Sequence, residues 1–260
     1  MIRSILPAIA LLLPLLACCT PAGQSTRGEQ ATPASTNRGA AQSEQARSAR
    51  RMIRASEGAL APVYAPLAEQ IVRDFNLSDA DGVGIDVGSG PGTLIVELCK
   101  RTEMHWINAD INPHFFSHFY DLAEEVGVAH RVSAFRADAQ NLPFRDNYAA
   151  VIVSRGSYQF WKDRRKAFDE IYRVLEPGGV AYIGRGLARD MPVDEARQVR
   201  KNQGGGPRYD RFAHARPLAN LMNEMAIEQW DVQVPTPDGP KGVNYGVWVE
   251  FHKPCGDAGR

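Results

Sequence analysis

A glycine-rich segment from Ile85 to Gly92, with the sequence IDVGSGPG, is the strongest candidate for ligand binding in this chain. It follows an apolar run that predicts a buried strand, and its glycines allow a positive φ and a close approach of the backbone to a ligand. A dinucleotide-binding fingerprint would need a glycine at position 93, where the chain has Thr93, and Pro91 removes one amide donor. A nucleotide-dependent oxidoreductase is therefore disfavoured, and an ordinary tight turn is the alternative to a ligand site.

Acidic residues follow the next two predicted strands. Asp110 ends the second strand, where a carboxylate can accept hydrogen bonds from both hydroxyls of a ribose. Asp138 and Ala139 end the third strand, where a carboxylate could accept an adenine amino group while apolar residues 142–144 pack on the ring. Taken singly, Asp110 could cap a helix and Asp138 could stabilise a turn. Because the glycine segment and both acids follow consecutive strands, a shared ligand site is favoured.

The elements that would position these residues alternate between strand and helix patterns. Such alternation is typical of βαβ units, and continuously apolar strands indicate a parallel sheet that is covered on both faces. The predicted strands are residues 82–87, 105–109, 131–136, 148–153 and 180–184, and the predicted helices are 62–75, 93–100, 113–126 and 164–175. Further on, helices are predicted at 193–201 and 217–225, and an antiparallel pair of edge strands at 227–234 and 243–251.

Together with the run LEPGG at residues 175–179, the segment from Asp86 to Gly92, Asp110 and the pair Asp138-Ala139 carry a family resemblance. They resemble class I S-adenosylmethionine-dependent methyltransferases, in particular the methyltransferase type 11 or UbiE-like domain, over roughly Tyr64 to Phe251. The resemblance implies an α/β fold, a Rossmann-like doubly wound seven-stranded sheet that is mostly parallel with an antiparallel last strand. It also implies S-adenosyl-L-methionine as the cofactor.

The same resemblance implies a role for each matching residue. The glycine loop would hold the methionine part of the cofactor, with Asp86 facing its ammonium, while Asp110 would bind the ribose and Asp138 with Ala139 the adenine. Asn112 and Leu142 are second contacts. The implied cofactor contacts are Asp86, Gly88, Ser89, Gly90, Gly92, Asp110, Ile111, Asp138, Ala139 and Ser154.

The acceptor is expected above the fourth strand, where residues 154–161 read SRGSYQFW. This segment lacks the Asn/Asp-Pro-Pro-Tyr/Phe run of enzymes that methylate exocyclic amines, which argues against an adenine-N6 DNA methyltransferase. Arg155 and Arg185 could clamp an anionic acceptor bidentately, or each could pair with a nearby acid. Tyr158 and Trp161 could wall an apolar pocket or fill the core. The acceptor-side candidates are Arg155, Ser157, Tyr158 and Arg185.

Composition and spacing argue against several other functions. Thirty Lys and Arg residues balance thirty Asp and Glu residues, so nothing indicates a nucleic-acid partner. The six histidines share no metal-ligand spacing, and we expect no metal site. Cys99 and Cys255 do not match the multi-cysteine arrangement of arsenite methyltransferases, and no Gly-x-Ser-x-Gly frame for a serine nucleophile is present.

The first residues form an apolar run from Ile5 to Ala17, too short to span a membrane and typical of a secretory signal. Its end, LLAC at residues 15–18, resembles a bacterial lipobox, which implies a lipid anchor on Cys18. We therefore expect a signal peptide at 1–17, a flexible tether at 18–55, the methyltransferase domain at 56–253 and a tail at 254–260. Plain secretion, or a misplaced start codon ahead of a cytoplasmic protein, are the alternatives.

These observations predict S-adenosylmethionine-dependent methyl transfer to an unidentified small molecule, either anionic or lipidic. If the signal is real, the protein is a membrane-anchored lipoprotein of the bacterial cell envelope. Because S-adenosylmethionine is not expected outside the cytoplasm, the alternative is a membrane-tethered binding module that keeps the fold without transferase activity.

Overall fold

The computed structural model describes residues 33–204, 209–237 and 242–255. The predicted signal peptide, the predicted lipid anchor at Cys18 and most of the predicted tail lie outside the described residues. Of residues 1–39, only the start of helix α1 (Pro33–Glu57) is described. No helix among the described residues is long and apolar enough to cross a membrane.

Helix α1 differs from the predicted flexible tether, which was expected to extend to residue 55. Residues 40–57 contain neither proline nor glycine and are rich in alanine, arginine, glutamine and glutamate, which are good helix formers. Ala49 and Ser56 are each only 1% exposed, so one side of the helix is buried. Small side chains can cover a surface at close range, and a search for large apolar residues misses a helix of this kind.

Seven strands form one sheet in the order β3-β2-β1-β4-β5-β7-β6. Strands β1 to β5 pair in parallel, whereas β7 runs antiparallel to both β5 and β6. The predicted mostly parallel sheet with a reversed last strand is thereby confirmed. The strands are β1 (Val83–Val87), β2 (His105–Asp110), β3 (Val132–Arg136), β4 (Ala149–Arg155), β5 (Leu175–Gly186), β6 (Trp230–Gln233) and β7 (Gly246–His252).

The remaining helices connect and cover these strands close to the predicted positions. They are α2 (Ala61–Asp74), α3 (Thr93–Cys99), α4 (Phe116–Glu125), α5 (Arg164–Val174), α6 (Val193–Asn202) and α7 (Arg211–Glu224). Helix α7 begins earlier than predicted because the Asp210 side chain caps it by accepting hydrogen bonds from the Phe212 and Ala213 amides. Pro217 lies inside this helix instead of starting it.

Two layers of apolar side chains bury the two faces of the sheet. Alternate residues of each strand enter opposite layers: Val151 and Val153 pack with α2, α3 and α4, and Ile152 packs with α5 and α7. Complete burial of an aliphatic side chain of this size contributes about 1.5–3 kcal/mol. The two layers hold the sheet rigid, and the carboxyl ends of β1, β2, β4 and β5 remain as the edge on which a ligand can sit.

Candidate functional site

A cleft of about 840 Å³ opens at the carboxyl ends of the parallel strands, on both sides of β1. The strand order reverses between β1 and β4, and ligands of open α/β sheets bind at such a reversal. Most of the predicted site residues line this one cleft. They are Asp86, Gly88, Ser89, Gly90, Asp110, Ile111, Asp138, Ala139, Arg155, Ser157 and Arg185.

The glycine loop joins β1 to α3 through a backbone that only glycine adopts readily. Gly88, Gly90 and Gly92 have φ values of 72°, 58° and 78°. A Cβ added to Gly88 would lie 2.4 Å from Ser157, and one added to Gly92 would lie 2.1 Å from the Phe119 ring. Gly92 does not line the cleft itself, so the predicted cofactor contact is corrected to a role in shaping the turn at the start of α3.

Asp86 lies one residue before the end of β1 and is only 2% exposed, yet one of its carboxylate oxygens has no hydrogen-bond partner. Burial raises the pKa of Asp86 to about 7, and the Asp110 carboxylate adds to the rise, while Ser89 and Arg155 act in the opposite direction. A buried carboxylate with a free oxygen at a cleft provides a site for a cationic group. This is the position at which the resemblance places the ammonium of the cofactor.

Asp110 fastens the glycine loop to the end of β2. One of its oxygens accepts a hydrogen bond from the Gly90 amide at 2.8 Å, and the other accepts from the Asn112 amide at 2.8 Å. Burial raises the pKa of Asp110, and these two amides counteract the rise. A carboxylate has about four acceptor positions, so lone pairs remain for the hydroxyls of a ribose.

Asn108 is a site residue that the sequence analysis missed. Its side-chain amide donates to the Gly90 carbonyl at 3.1 Å, so residues of β2 hold both the amide and the carbonyl of Gly90. Asn108 is fully buried and lies between the apolar residues Ile107 and Ala109 of β2. A polar side chain between buried apolar neighbours was the signal that could have revealed it.

Asp138 lies in a turn after β3, at the far end of the cleft from Arg185. Its carboxylate accepts from the Gln140 amide at 2.9 Å, so the turn-stabilising role that we considered is present, and the side chain also lines the cleft. The following loop is held by Arg173, which donates to the carbonyls of Leu142 and Phe144 at 3.1 and 2.8 Å. The Leu142 side chain packs in the core instead of lining the cleft, so the predicted second contact is corrected to a supporting role.

Two other predicted residues, Ser154 and Tyr158, lie beneath the cleft instead of lining it. The Ser154 hydroxyl is 2.7 Å from the Val87 carbonyl and 2.6 Å from the Ser157 hydroxyl, so it joins the ends of β4 and β1. Tyr158 is 1% exposed in the core, and burial raises its pKa to about 12. The cofactor contact predicted for Ser154 and the acceptor contact predicted for Tyr158 are therefore corrected to structural roles. Ser157 borders the cleft, but its hydroxyl also donates to Val87, at 2.9 Å.

In the part of the cleft at the ends of β4 and β5, aromatic rings lie against the predicted residues Arg155 and Arg185. The Arg155 guanidinium lies 5.3 Å from the ring centre of Tyr64, and that of Arg185 lies 4.0 Å from the ring centre of Tyr209. Tyr64 lies on the buried face of α2, and neither Tyr64 nor Tyr209 was among the predicted site residues. Arg155 also donates to the Gly186 carbonyl at 3.2 Å, so it spans from β4 to the end of β5.

Helix α1 supplies a wall of the cleft, although its residues were predicted to be a tether. Met52 and Ala55 line the cleft together with Leu60 from the segment before α2. The Asn112 side chain donates to the Gln45 carbonyl at 2.9 Å, which fixes the helix to the turn after β2. Asn112 thus supports the wall and caps the following turn, and it does not line the cleft itself.

Comparison with protein families agrees with the resemblance that the glycine loop, Asp110 and Asp138 carry. Residues 85–183 match the family model described as a methyltransferase domain. That range runs from β1 into β5 and contains the glycine loop, Asp110 and Asp138, the residues that carried the predicted resemblance.

Within residues 33–204, 209–237 and 242–255, no cluster of three or more His, Cys, Asp or Glu side chains could hold a metal ion.

Curated relatives match a stretch of similar length. The chain is 34% identical over 98 residues to 2-methyl-6-phytyl-1,4-hydroquinone methyltransferase 2 of Oryza sativa subsp. japonica, covering 37% of this chain and 27% of the relative. It is also 34% identical over 97 residues to the ubiquinone/menaquinone biosynthesis C-methyltransferase UbiE of Vibrio cholerae, covering 36% of this chain and 37% of the relative. The chain therefore matches only about a third of the length of these relatives.

A solved structure extends the likeness to the whole fold. A candidate S-adenosyl-L-methionine-dependent methyltransferase from Methanococcus maripaludis superposes with a TM-score of 0.69 at 29% sequence identity, covering 82% of this chain and 95% of that one. Residues 85–183 are thus similar to a methyltransferase domain, and the fold of the described residues is similar to that of an S-adenosyl-L-methionine-dependent methyltransferase.

Proposed function

We propose that the protein is a methyltransferase that transfers a methyl group from S-adenosylmethionine to a small molecule. The observation that carries the proposal is the arrangement of Asp86, Asp110 and Asp138 around one cleft at the ends of three neighbouring strands. The residues fit the cofactor because Asp86 offers an unpaired buried oxygen to a cation, and Gly88 and Gly90 place no side chain between their backbone and a ligand. The relatives named above, all described as methyltransferases, support the same activity.

In this proposal each part of the chain has a binding task. Asp86 holds the ammonium of the cofactor, Asp110 its ribose hydroxyls and Asp138 the amino group of its adenine. When bound, S-adenosylmethionine supplies a methyl group on a positively charged sulfur, and the acceptor atom displaces the sulfur in line. Met52 of α1 lies beside the loop, with its Cγ 3.8 Å from a Cβ built on Gly90, and lines the cleft there.

The acceptor enters the half of the cleft between Tyr64 and Tyr209, beyond the glycine loop. Alignment of the accepting atom with the methyl group, together with the exclusion of water, is the main contribution that the protein makes. One relative is named as a hydroquinone methyltransferase and the other as a C-methyltransferase of ubiquinone/menaquinone biosynthesis, but they share only about a third of their length with this chain. The proposal therefore stays with a small molecule as the acceptor.

Calorimetric titration of the full-length chain with S-adenosylmethionine and S-adenosylhomocysteine tests the proposal. We expect both to bind, the affinity to fall at least tenfold in Asp110→Ala, and Asp121→Asn to bind as the unchanged chain does. Asp121 is an exposed carboxylate on α4 away from the cleft, so it serves as the control. Absence of binding by folded protein would overturn the proposal.

Residues 15–18 support a second candidate, a membrane-tethered binding module without transferase activity, because a lipobox implies export away from the cofactor. The two candidates differ in transfer of a labelled methyl group from S-adenosylmethionine to small molecules of a cell extract. The methyltransferase gives a labelled product, whereas the module binds S-adenosylhomocysteine and gives none.

We also propose that the chain is anchored to a bacterial membrane through a lipid on Cys18. Expression with a fatty-acid probe tests this, with Cys19→Ala as the matched control for Cys18→Ala. The label should appear in the membrane fraction and be lost only in Cys18→Ala. Unlabelled protein, or a label that persists in Cys18→Ala, would contradict the anchor.

A further inference from the structure

Three arginines converge on the half of the cleft that lies away from Asp110 and Asp138. Arg155 comes from the end of β4, Arg185 from the end of β5 and Arg200 from the last turns of α6, and all three line the cleft. Strands β4 and β5 lie on the other side of β1 from β2 and β3, so the arginines lie away from the cofactor half of the cleft, at Asp110 and Asp138. Arg155 is the one that also acts electrostatically on the Asp86 carboxylate. Arg200 is absent from the sequence-based candidates because only the folded position of α6 brings it here.

The charges of this arginine cluster are not balanced by carboxylates in ion pairs. Arg200 is 8% exposed and donates to neutral oxygens, the Asn244 carbonyl at 2.7 Å and the Gln203 side chain at 2.9 Å. Arg155 donates to a backbone carbonyl, and Arg185 lies over an aromatic ring. Within the described ranges, none of the three forms an ion pair with Asp or Glu, whereas the half-buried Arg173 and Arg189 do.

The electrostatics of Arg200 show that the three guanidinium groups influence one another. Burial lowers the pKa of Arg200 to about 10, Tyr209 raises it, and Arg155, Arg185 and Arg211 lower it further. Arg200 therefore still carries its charge at neutral pH, and its arginine neighbours repel it. Buried like charges are costly unless an anion joins them, and guanidinium groups match the geometry of carboxylate and phosphate.

We propose that Arg155, Arg185 and Arg200 form an anion-binding subsite, and that the acceptor is a small molecule whose carboxylate or phosphate group is held there. The inference rests on the proposed function and adds the chemical class of the acceptor. The bound anion fixes the acceptor so that another of its atoms faces the methyl group. The three arginines are positioning residues, and Tyr64 and Tyr209 form the walls on which the guanidinium groups lie.

The test uses two anions as probes on the full-length chain saturated with S-adenosylhomocysteine. Citrate represents carboxylates and pyrophosphate represents phosphates, and calorimetry measures their binding. We expect at least one of them to bind, and its affinity to fall at least tenfold in Arg185→Met and in Arg200→Met. Preference for one probe assigns the carboxylate or the phosphate class.

Arg216→Met is the matched control, because Arg216 is an exposed arginine on α7 that does not line the cleft. It removes the same charge from the protein and should leave anion affinity unchanged. If Arg200→Met does not fold, Arg155→Met provides the second cluster variant. Failure of both probes to bind, or an equal loss in the control and the cluster variants, would overturn the subsite.

The same samples separate the subsite from the proposed function. S-adenosylhomocysteine should bind Arg185→Met as tightly as the unchanged chain, because Arg185 lies outside the cofactor half. Binding of S-adenosylhomocysteine without binding of either anion would refute the subsite alone. If the unchanged chain does not bind S-adenosylhomocysteine, the methyltransferase proposal is refuted.

Discussion

In the absence of cofactor, the ionised carboxylate of Asp86 should lower the free energy of unfolding, and the variant Asp86→Asn should recover part of that loss. The pKa of Asp86 is about 7 in the folded chain against an ordinary value of 3.8, so the folded chain binds this proton more tightly than the unfolded chain does. The cost of holding the carboxylate ionised is complete above pH 7, falls as the pH drops through 7, and vanishes near pH 4. At about 1.4 kcal/mol per pKa unit, three units give a cost of about 4 kcal/mol at pH 8.

Asp86→Asn removes the charge with little change of shape. A buried amide still needs hydrogen-bond partners, which costs about 1–2 kcal/mol, so we expect a net gain of about 2–3 kcal/mol in the free energy of unfolding at pH 8. The gain should shrink steadily as the pH is lowered to 5. Binding of S-adenosylhomocysteine should fall at least tenfold in the same variant, because its ammonium loses the carboxylate.

Urea unfolding of the full-length chain at pH 8, 7, 6 and 5 measures the stability, and calorimetry measures the binding. Asp121→Asn, on the exposed side of α4, is the control. It should change neither the free energy of unfolding nor the free energy of binding by more than about 0.5 kcal/mol. Equal stability of Asp86→Asn and the unchanged chain at pH 8 would refute the reasoning. So would a difference that stays constant from pH 8 to pH 5.

Other substitutions test the loop and its supports. Gly92→Ala should lower the free energy of unfolding by about 2–4 kcal/mol, since its φ is 78° and the added Cβ would lie 2.1 Å from an aromatic ring. Gly127→Ala, with φ 76° and no atom within 4 Å of the added Cβ, should cost only about 1 kcal/mol, and equal losses in urea would contradict the packing argument. Asp110→Ala should speed hydrogen exchange of the loop amides in the cofactor-free chain, and unchanged exchange would show that the loop is ordered without it. Arg173→Met should loosen residues 138–147, speed their hydrogen exchange and weaken S-adenosylhomocysteine severalfold in calorimetry, whereas unchanged exchange would exclude the bracing role.

Much of the cofactor half could be predicted from the sequence because its signals are local. The glycine loop comes directly after β1, Asp110 is the last residue of β2 and Asp138 lies two residues after β3, and the parallel arrangement of those strands brings their ends together. A short strand with a largely apolar pattern is recognisable without knowledge of its neighbours. The seven-stranded, mostly parallel sheet with an antiparallel last strand came from the family resemblance and is confirmed, whereas the order of the strands was not predicted.

The acceptor half could be predicted only in part, because its residues meet through long-range packing. Arg155 and Arg185 follow strands, but Arg200 enters from α6 and depends on a hydrogen bond to Asn244 in the segment before β7. Whether a side chain next to a strand end points into the cleft or under it depends on the turn, which is why Ser154 and Tyr158 were misplaced. Nothing in the sequence near these residues fixes that direction.

The clamping of Gly90 by two side chains of β2 has a consequence for the energetics of ligand capture. Asp110 fixes the amide of Gly90 and Asn108 fixes its carbonyl, so the loop is already ordered before any ligand arrives. The conformational entropy of the loop is lost during folding and does not oppose association. Because of this preorganisation, changes at the ends of β4 and β5 can alter which molecule is accepted, while ligand binding at the ends of β1 and β2 stays unchanged.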